Sequence, residues 1–253
     1  MKLGLHVNDV SWPGGAGQLG PTLVKIAQTA DAGGFEHLAL WTTCGKATFS
    51  VVQSARCSPA IRPWRAWLGI GVGDYEEEAR GSGLPFPPLQ ERYERLEELL
   101  QICLRMWQGE QGDERPYEGK YYHIERPLNL PQSLTRPHPP ILIAGSGEQK
   151  TLRLVARYAD ACNLRPGPEI PRKLEVLRQH CEAEERDYDA IEKTCMFAFD
   201  VGEDGSKVGE LLGQLRWLAS MGIQTVLGVI PQVYRIEPLE IIGREVLPAV
   251  INL

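Results

Sequence analysis

Apolar positions along the chain follow two spacings in turn, which predicts strands followed by helices. Short apolar runs predict strands at Leu3 to Val7 and Phe35 to Trp41. Between them, Pro21 to Ala32 has the spacing of an amphipathic helix that ends at a glycine pair. Further strands are predicted at Ala66 to Val72, Ile141 to Ala144, Asp160 to Leu164, Thr194 to Val201 and Gln224 to Ile230, a small hairpin at Tyr117 to Ile124, and further helices at Leu89 to Trp107, Gly145 to Tyr158, Pro171 to Glu185, Ser206 to Met221 and Pro238 to Val250. Repeated βα units favour a parallel sheet that closes into a TIM-type barrel.

The stretch from Thr42 to Arg65 is too short for a complete barrel of this kind. Eight βα units are needed, and this stretch cannot hold a helix, a strand and a second helix, since one βαβ unit takes roughly 30 residues. We predict a single domain over residues 1–253. It is an α/β, TIM-type (β/α)8-like barrel that lacks about one βα unit near residues 42–65, where only Thr48 to Gln53 suits a short strand. The gap predicts an exposed sheet edge or an apolar flank, which a covering loop or a partner subunit would bury, and we predict a homodimer.

Composition and charge exclude several classes of function. Hydrophobic residues make up 43% of the chain, but no apolar run approaches the roughly 20 residues that cross a bilayer. No secretory signal pattern precedes the first strand, so we expect a cytoplasmic protein that does not bind membranes. A net charge of −6 without a Lys/Arg cluster argues against nucleic acid as a partner.

Cysteines and histidines show no metal-binding pattern. The six cysteines are scattered without a C-x-x-C pair, which is typical of reduced structural thiols. The five histidines lack the spacing that places two ligands on one helix or turn. We expect no metal site.

The stretch from Trp67 to Asp74 combines a strand with three alternating glycines. The absence of Cβ at positions 69, 71 and 73 leaves space for a flat ligand or allows close backbone packing. Asp74 follows the strand end, where a buried carboxylate could donate or accept a proton. An equally good interpretation is that Asp74 caps a helix that starts at Tyr75.

A second glycine turn, Gly145-Ser146-Gly147, lies where a strand ends and a helix is predicted to begin. Free amides and the positive helix end at such a junction can hold a phosphate group. Alternatively, the turn is only a tight βα connection in which Ser146 caps the helix. Asn163 and His6 lie near other strand ends and could face the same barrel mouth, although a core or loop role is more common for either residue alone.

These stretches together resemble the luciferase-like monooxygenase family, and specifically its branch that depends on the deazaflavin coenzyme F420. The resemblance is carried by Leu68 to Pro88 with Glu91 to Glu98, by Pro139 to Glu148 with Thr151 to Asn163, and by Pro21 to Trp41. It covers most of the chain outside residues 42–65. The resemblance implies a TIM-type barrel with a flavin-like cofactor, F420 or alternatively FMN, and hydride transfer or monooxygenation of a small organic substrate.

The resemblance also assigns the candidate site. It implies Asp74 as the catalytic residue. The cofactor-binding positions that it implies are Thr42, Thr43, Gly73, Gly145, Ser146, Gly147 and Asn163. Where the family commonly has an acidic residue followed by histidine, this chain has Thr42-Thr43, whose hydroxyls can hydrogen-bond a carbonyl but cannot carry a proton near neutral pH.

Two functional hypotheses follow from this departure. The first is an F420- or FMN-dependent oxidoreductase. The second is a shortened, noncatalytic family member that binds a flavin-like ligand or assembles with a partner. A Rossmann NAD enzyme is disfavoured, because the glycines at 69, 71 and 73 do not complete the G-x-G-x-x-G fingerprint.

Overall fold

The computed structural model describes residues 1–9, 12–44, 47–53, 66–108, 113–133 and 135–253, with the backbone alone at 16, 40–44, 47–53 and 66. The strands are β1 Lys2–Val7, β2 His37–Cys44, β3 Ala47–Gln53, β4 Ala66–Ile70, β5 Tyr117–Glu118, β6 His123–Ile124, β7 Ile141–Ala144, β8 Ala161–Leu164, β9 Glu192–Ala198 and β10 Thr225–Val229. The helices are α1 Ala16–Gly33, α2 Glu76–Gly81, α3 Leu89–Met106, α4 Thr151–Tyr158, α5 Ile170–Ala183, α6 Val208–Ser220, α7 Glu237–Ile241 and α8 Leu247–Val250. A 3₁₀ turn at Val233–Arg235 precedes α7, and a π-helical segment at Ile242–Val246 joins α7 to α8.

The main sheet is a closed barrel in the order β1-β2-β3-β4-β7-β8-β9-β10, with β10 returning to β1. All neighbouring pairs are parallel except those that involve β3. The predicted TIM-type barrel is therefore confirmed, and so is the missing βα unit, since β3 takes that place as an antiparallel strand. No helix in the described part of the chain has both the length and the apolar composition that a bilayer crossing requires.

The short strand predicted at Thr48 to Gln53 is confirmed as β3, but the exposed sheet edge expected beside it is wrong. β3 pairs with β2 from Leu38↔Gln53 to Cys44↔Ala47 and with β4 from Ser50↔Gly69 to Gln53↔Ala66. Both of its sides are thus hydrogen-bonded, and a closed sheet has no edge to protect. The homodimer loses the support of that edge and stays a prediction.

Apolar residues pack on both sides of the barrel wall. On the outside, Leu3 and Leu5 of β1 are fully buried together with Ile26 of α1. The interior near the amino-terminal ends of the parallel strands holds a second cluster of Leu142, Ala161 and Leu227, against which Trp67 packs. The alternation of strand side chains between these two layers is what the two-residue strand period requires.

Two helix boundaries differ from their predicted positions. Helix α1 begins at Ala16 and ends at Gly33, and Pro21 lies inside it. The next residue, Gly34, has a φ of 90° and amide bonds to Ala30 O and Asp31 O, and it forms the predicted glycine cap. Helix α4 begins only at Thr151, because residues 148–150 form a turn. Residues 145–150 are therefore free to act as a loop at the end of β7.

The hairpin of β5 and β6 is confirmed and is held against α3. Glu98 of α3 accepts hydrogen bonds from the backbone amides of Lys120, Tyr121 and Tyr122, with the shortest at 2.8 Å. Glu94 accepts from Lys120 Nζ at 2.7 Å and from Tyr121 Oη at 2.5 Å. These bonds explain how a two-residue ladder keeps its place outside the barrel.

Candidate functional site

Three loops meet at the carboxyl end of adjacent strands and form one rim of the barrel. β4, β7 and β8 are neighbours in the parallel part of the wall, so their following loops, residues 71–75, 145–150 and 165–169, lie side by side. We call these the rim loops. The carboxyl ends of the strands are the face where barrels of this type bind their ligands.

The backbone of the rim loop after β7 depends on two glycines. Gly145 has a φ of 128°, which other residues rarely adopt, and its amide donates to Asn163 O at 2.9 Å. A Cβ on Gly147 would lie 2.9 Å from Thr151 Oγ1 and 3.0 Å from Tyr93 Oη, so the absence of a side chain there lets the loop pack closely against these two hydroxyls. The two hydroxyls are themselves 2.7 Å apart and join α3 to the start of α4.

Ser146 does not cap α4, which excludes the alternative interpretation of this turn. Its Oγ instead accepts a hydrogen bond of 2.9 Å from the backbone amide of Arg165, and α4 begins after Lys150 without a side-chain cap. Among the residues that the structure describes, none accepts a hydrogen bond from the backbone amides of Ser146, Gly147 and Glu148. We call these three amides the amide pocket. Successive free amides beside a helix start are a favourable setting for a phosphate.

The far side of the amide pocket is tied to α5. Glu148 accepts from Lys173 Nζ at 2.6 Å and from Arg172 Nη2 at 3.1 Å, and its backbone carbonyl lies 2.7 Å from His180 Nε2. The hydrogen bond from Lys173, with the charge of Arg172, lowers the pKa of Glu148 from its usual value. Two cations thus neutralise the Glu148 carboxylate. Its electrostatic repulsion of an anion in the amide pocket is therefore weak.

The rim loop after β4 is held by Arg92 of α3. Arg92 donates to the carbonyls of Gly73 and Pro87, and its guanidinium lies 4.0 Å from the centre of the Phe86 ring. A Cβ at Gly71 would lie 3.2 Å from Ala144 O. Close packing of β4 against β7, one of the two explanations left open for these glycines, therefore accounts for position 71.

Asp74 is exposed at this rim rather than buried. The exposed fraction of its side chain is 73%, and Oδ2 accepts from Arg165 Nη2 at 2.7 Å. It does not cap a helix, because α2 begins at Glu76 after Tyr75 and has no side-chain cap. The burial on which its proton-transfer role depended is absent in this structure, and the role stays a prediction.

Polar side chains line the interior of the barrel below the rim. Asn163 donates to Thr194 Oγ1 at 2.9 Å, and Thr194 donates to Cys162 O at 2.8 Å, all within a buried layer. His6 on β1 is only 2% exposed. Burial lowers the pKa of His6 to about 4, so its ring is neutral near pH 7.

Thr42 and Thr43 lie near the end of β2, where their backbones pair with Phe49 and Thr48 of β3. Their side chains lie outside the described residues, so their assignment to the cofactor also stays a prediction. In the described part of the chain, no group of three His, Cys, Asp or Glu residues is arranged to hold a metal ion.

Sequence reasoning missed several residues that build this site. Arg92, Tyr93, Thr151, Arg165 and Thr194 hold the loops or line the interior, although no glycine motif marks them. The position of Thr151 four residues after the predicted phosphate turn is the one sequence signal that could have identified it. The others come from α3, the β8 end and β9, and only the barrel order brings them to the rim.

Comparisons with known proteins agree with this geometry. The luciferase-like monooxygenase family matches residues 63–235. The F420-dependent glucose-6-phosphate dehydrogenase of Gordonia bronchialis is 27% identical over 154 residues, which cover 56% of this chain and 42% of that protein. The enzyme of the same name from Tsukamurella paurometabola is 26% identical over 235 residues, which cover 73% of this chain and 66% of that protein. The chain thus spans less than two thirds of the length of either relative.

A solved structure shows the same fold over the full chain. An F420-dependent secondary alcohol dehydrogenase in complex with an F420-acetone adduct superimposes with a TM-score of 0.73, covers 98% of both chains and is 12% identical. At that identity the similarity concerns the barrel alone. Since the family match extends over more than half of the sequence, this chain belongs to the luciferase-like monooxygenase family.

Proposed function

We propose that this protein is an F420-dependent oxidoreductase that transfers a hydride between the deazaflavin and a small organic substrate. The observation that carries the proposal is the amide pocket at the end of β7, where three neighbouring amides have no acceptor among the described residues. The F420-dependent relatives and the F420-bound structural neighbour support this choice of cofactor. FMN is the alternative, because its phosphate suits the same pocket.

The chain's own residues bind and orient the cofactor. The amide pocket would hold its phosphate, in a loop whose backbone depends on Gly145 and Gly147. Gly73 would let the β4 loop approach the ring. Asn163 is oriented by Thr194 and presents a polar surface below the rim. When bound, the deazaflavin supplies the two electrons as a hydride.

Proton transfer is assigned to the rim rather than to the interior. We keep Asp74 as the candidate for that role, with Thr42 and Thr43 as hydroxyl partners of a ring carbonyl. His6 is unsuited to donate a proton near pH 7, since its pKa of about 4 keeps it neutral. A noncatalytic family member that binds a flavin-like ligand is the alternative function, favoured by the β3 strand that replaces a βα unit at the mouth.

A cytoplasmic location and a homodimer are also part of this proposal. The location is supported by the buried free thiols of Cys162, Cys181 and Cys195, which suit a reducing compartment. Size-exclusion chromatography with light scattering tests the homodimer, and a monomer across micromolar concentrations would reject it. A membrane or a nucleic acid has no part in the proposed activity.

Titration of the purified protein with F420, and separately with FMN, tests the proposed site through cofactor fluorescence. The informative variant is Gly145→Asp, which places a negative side chain beside the amide pocket at a φ that non-glycine residues adopt at a cost of about 1–3 kcal/mol. We expect saturable binding by the wild type. The variant should lose affinity by about 100-fold, since charge repulsion between its carboxylate and the phosphate adds to the backbone strain.

Gly209→Asp is the matched control. Position 209 lies in the first turn of α6, a Cβ there meets nothing within 4 Å, and an acidic residue is favourable near a helix start. This control should bind like the wild type. If the wild type binds neither F420 nor FMN, the proposed function is rejected. If it binds a cofactor but converts no alcohol or sugar phosphate in a substrate screen, the noncatalytic alternative is favoured.

A further inference from the structure

The ion pair of Arg165 and Asp74 spans the rim directly across the end of β7. Arg165 follows β8, Asp74 follows β4, and their side chains meet with Nη2 and Oδ2 2.7 Å apart. β7 lies between β4 and β8 in the barrel. A contact between the two outer loops therefore crosses the middle one, which carries the amide pocket.

The two ends of Arg165 differ in how firmly they are held. Its backbone amide donates to Ser146 Oγ at 2.9 Å, and the neighbouring Asn163 carbonyl accepts from the Gly145 amide at the same distance. The origin of the side chain is thus tied to the amide pocket itself. The side chain of Arg165 is 76% exposed. Exposed ion pairs contribute little to stability, so Asp74 is easily displaced from the guanidinium.

A phosphate is a better partner for this guanidinium than Asp74 is. Its oxygens accept paired hydrogen bonds from the planar fork of an arginine. The amide pocket would also hold the phosphate beside Arg165, whereas Asp74 is an exposed carboxylate that nothing else keeps there. Glu148, whose amide belongs to the pocket, is already neutralised by Arg172 and Lys173. Asp74 is the carboxylate that pairs with Arg165, and it is therefore the anion that a ligand phosphate would displace.

We propose that Arg165 turns from Asp74 to bind the phosphate of the cofactor, and that Asp74 acts as a competing anion that sets the affinity for phosphorylated ligands. The inference rests on the proposed cofactor site. It makes Arg165 a cofactor-binding residue, although no glycine motif indicates it. Loss of the Asp74 carboxylate should strengthen cofactor binding, whereas loss of a residue that holds the cofactor would weaken it.

The test compares binding of F420 with binding of the deazaflavin chromophore that lacks the phosphate-bearing chain. We expect Arg165→Gln to weaken F420 binding about tenfold, the discrimination expected of one charge-assisted contact. Asp74→Asn should tighten it about threefold, because the competing carboxylate is gone. Neither variant should change binding of the chromophore alone by more than about twofold, since it has no phosphate.

Arg115→Gln is the control for loss of an exposed, ion-paired arginine. Arg115 is 78% exposed and pairs with Asp113 at 2.7 Å just before β5, at the opposite end of α3 from the rim. Equal affinities of Arg165→Gln and Arg115→Gln for F420, or weaker binding in Asp74→Asn, would overturn this inference and leave the proposed function standing. A wild type that binds no F420 and no FMN would overturn both.

Discussion

Two parts of the barrel wall are built in different ways. One consists of β7, β8, β9, β10 and β1, and the other consists of β2, β3 and β4. The first consists of parallel strands with helices outside, and each strand sends its following loop to the rim. The second contains β3, which runs antiparallel, so that Gln53 pairs with Ala66 at the amino-terminal end of the parallel strands. The hydrogen-bonded ladder is complete in both, but β3 ends at the opposite end of the barrel from the rim.

This difference separates the stability of the barrel from its chemistry. A strand of either direction satisfies the backbone groups of its neighbours. The direction decides, however, at which end of the barrel the next loop lies. The proposed phosphate site belongs to the regular wall, whereas the positions of Thr42 and Thr43 belong to the rebuilt one.

The largest effect is expected from Val51→Pro in the rebuilt wall. Val51 pairs with Leu40 on one side and Leu68 on the other, so its backbone lies in a central strand. A proline there removes a ladder hydrogen bond and should lower the free energy of unfolding by about 3 kcal/mol or more. Urea denaturation measures this, and Val51→Ala, which keeps the amide, is the control. A loss below about 1 kcal/mol, close to the median for any substitution, would show that β3 does not close the barrel.

The next effect concerns pH and the buried His6 of the regular wall. Its pKa is about 4 in the folded protein, against an ordinary value of 6.5 in the unfolded chain. Below pH 6.5 the unfolded state binds a proton that the folded state does not, so stability is lost as pH falls, by about 3 kcal/mol at pH 4. Burial also lowers the pKa of His37, which acts in the same direction.

The variant His6→Gln isolates this contribution. The free energy of unfolding, measured from pH 7 down to pH 4, should decline less steeply in the variant than in the wild type. His37→Gln provides the comparison at the second buried histidine. Parallel pH profiles for wild type and His6→Gln would contradict the assignment of a neutral, buried His6.

The smallest effect is expected from Tyr93→Phe, which tests how α3 supports the amide pocket. The variant loses the 2.7 Å hydrogen bond to Thr151, whose side chain is 2% exposed and would keep an unmatched hydroxyl. We expect a cost of about 1 kcal/mol in thermal or urea unfolding. Tyr75→Phe, at an exposed residue with only a 3.4 Å contact to Glu77, should change stability by less than about 0.5 kcal/mol. Equal effects of the two changes would argue against a supporting role for Tyr93.

Much of the regular wall could be predicted from the sequence because its information is local. Ile141–Ala144 and the hairpin from Tyr117 to Ile124 were identified from apolar spacing and turn residues alone. The start of α4 was placed six residues too early, because Gly145-Ser146-Gly147 looks like a helix entry. The structure instead uses Ser146 to hold the next loop.

The sequence by itself determined the succession of strands and helices, the family and the glycine turn at the end of β7, since each depends on neighbouring residues along the chain. Only the tertiary structure decided that β3 runs antiparallel, because its direction depends on pairing with two strands at once. The same holds for Arg165 and Asp74, which lie 91 positions apart. Their contact follows from the order of strands around the barrel, which no local pattern encodes.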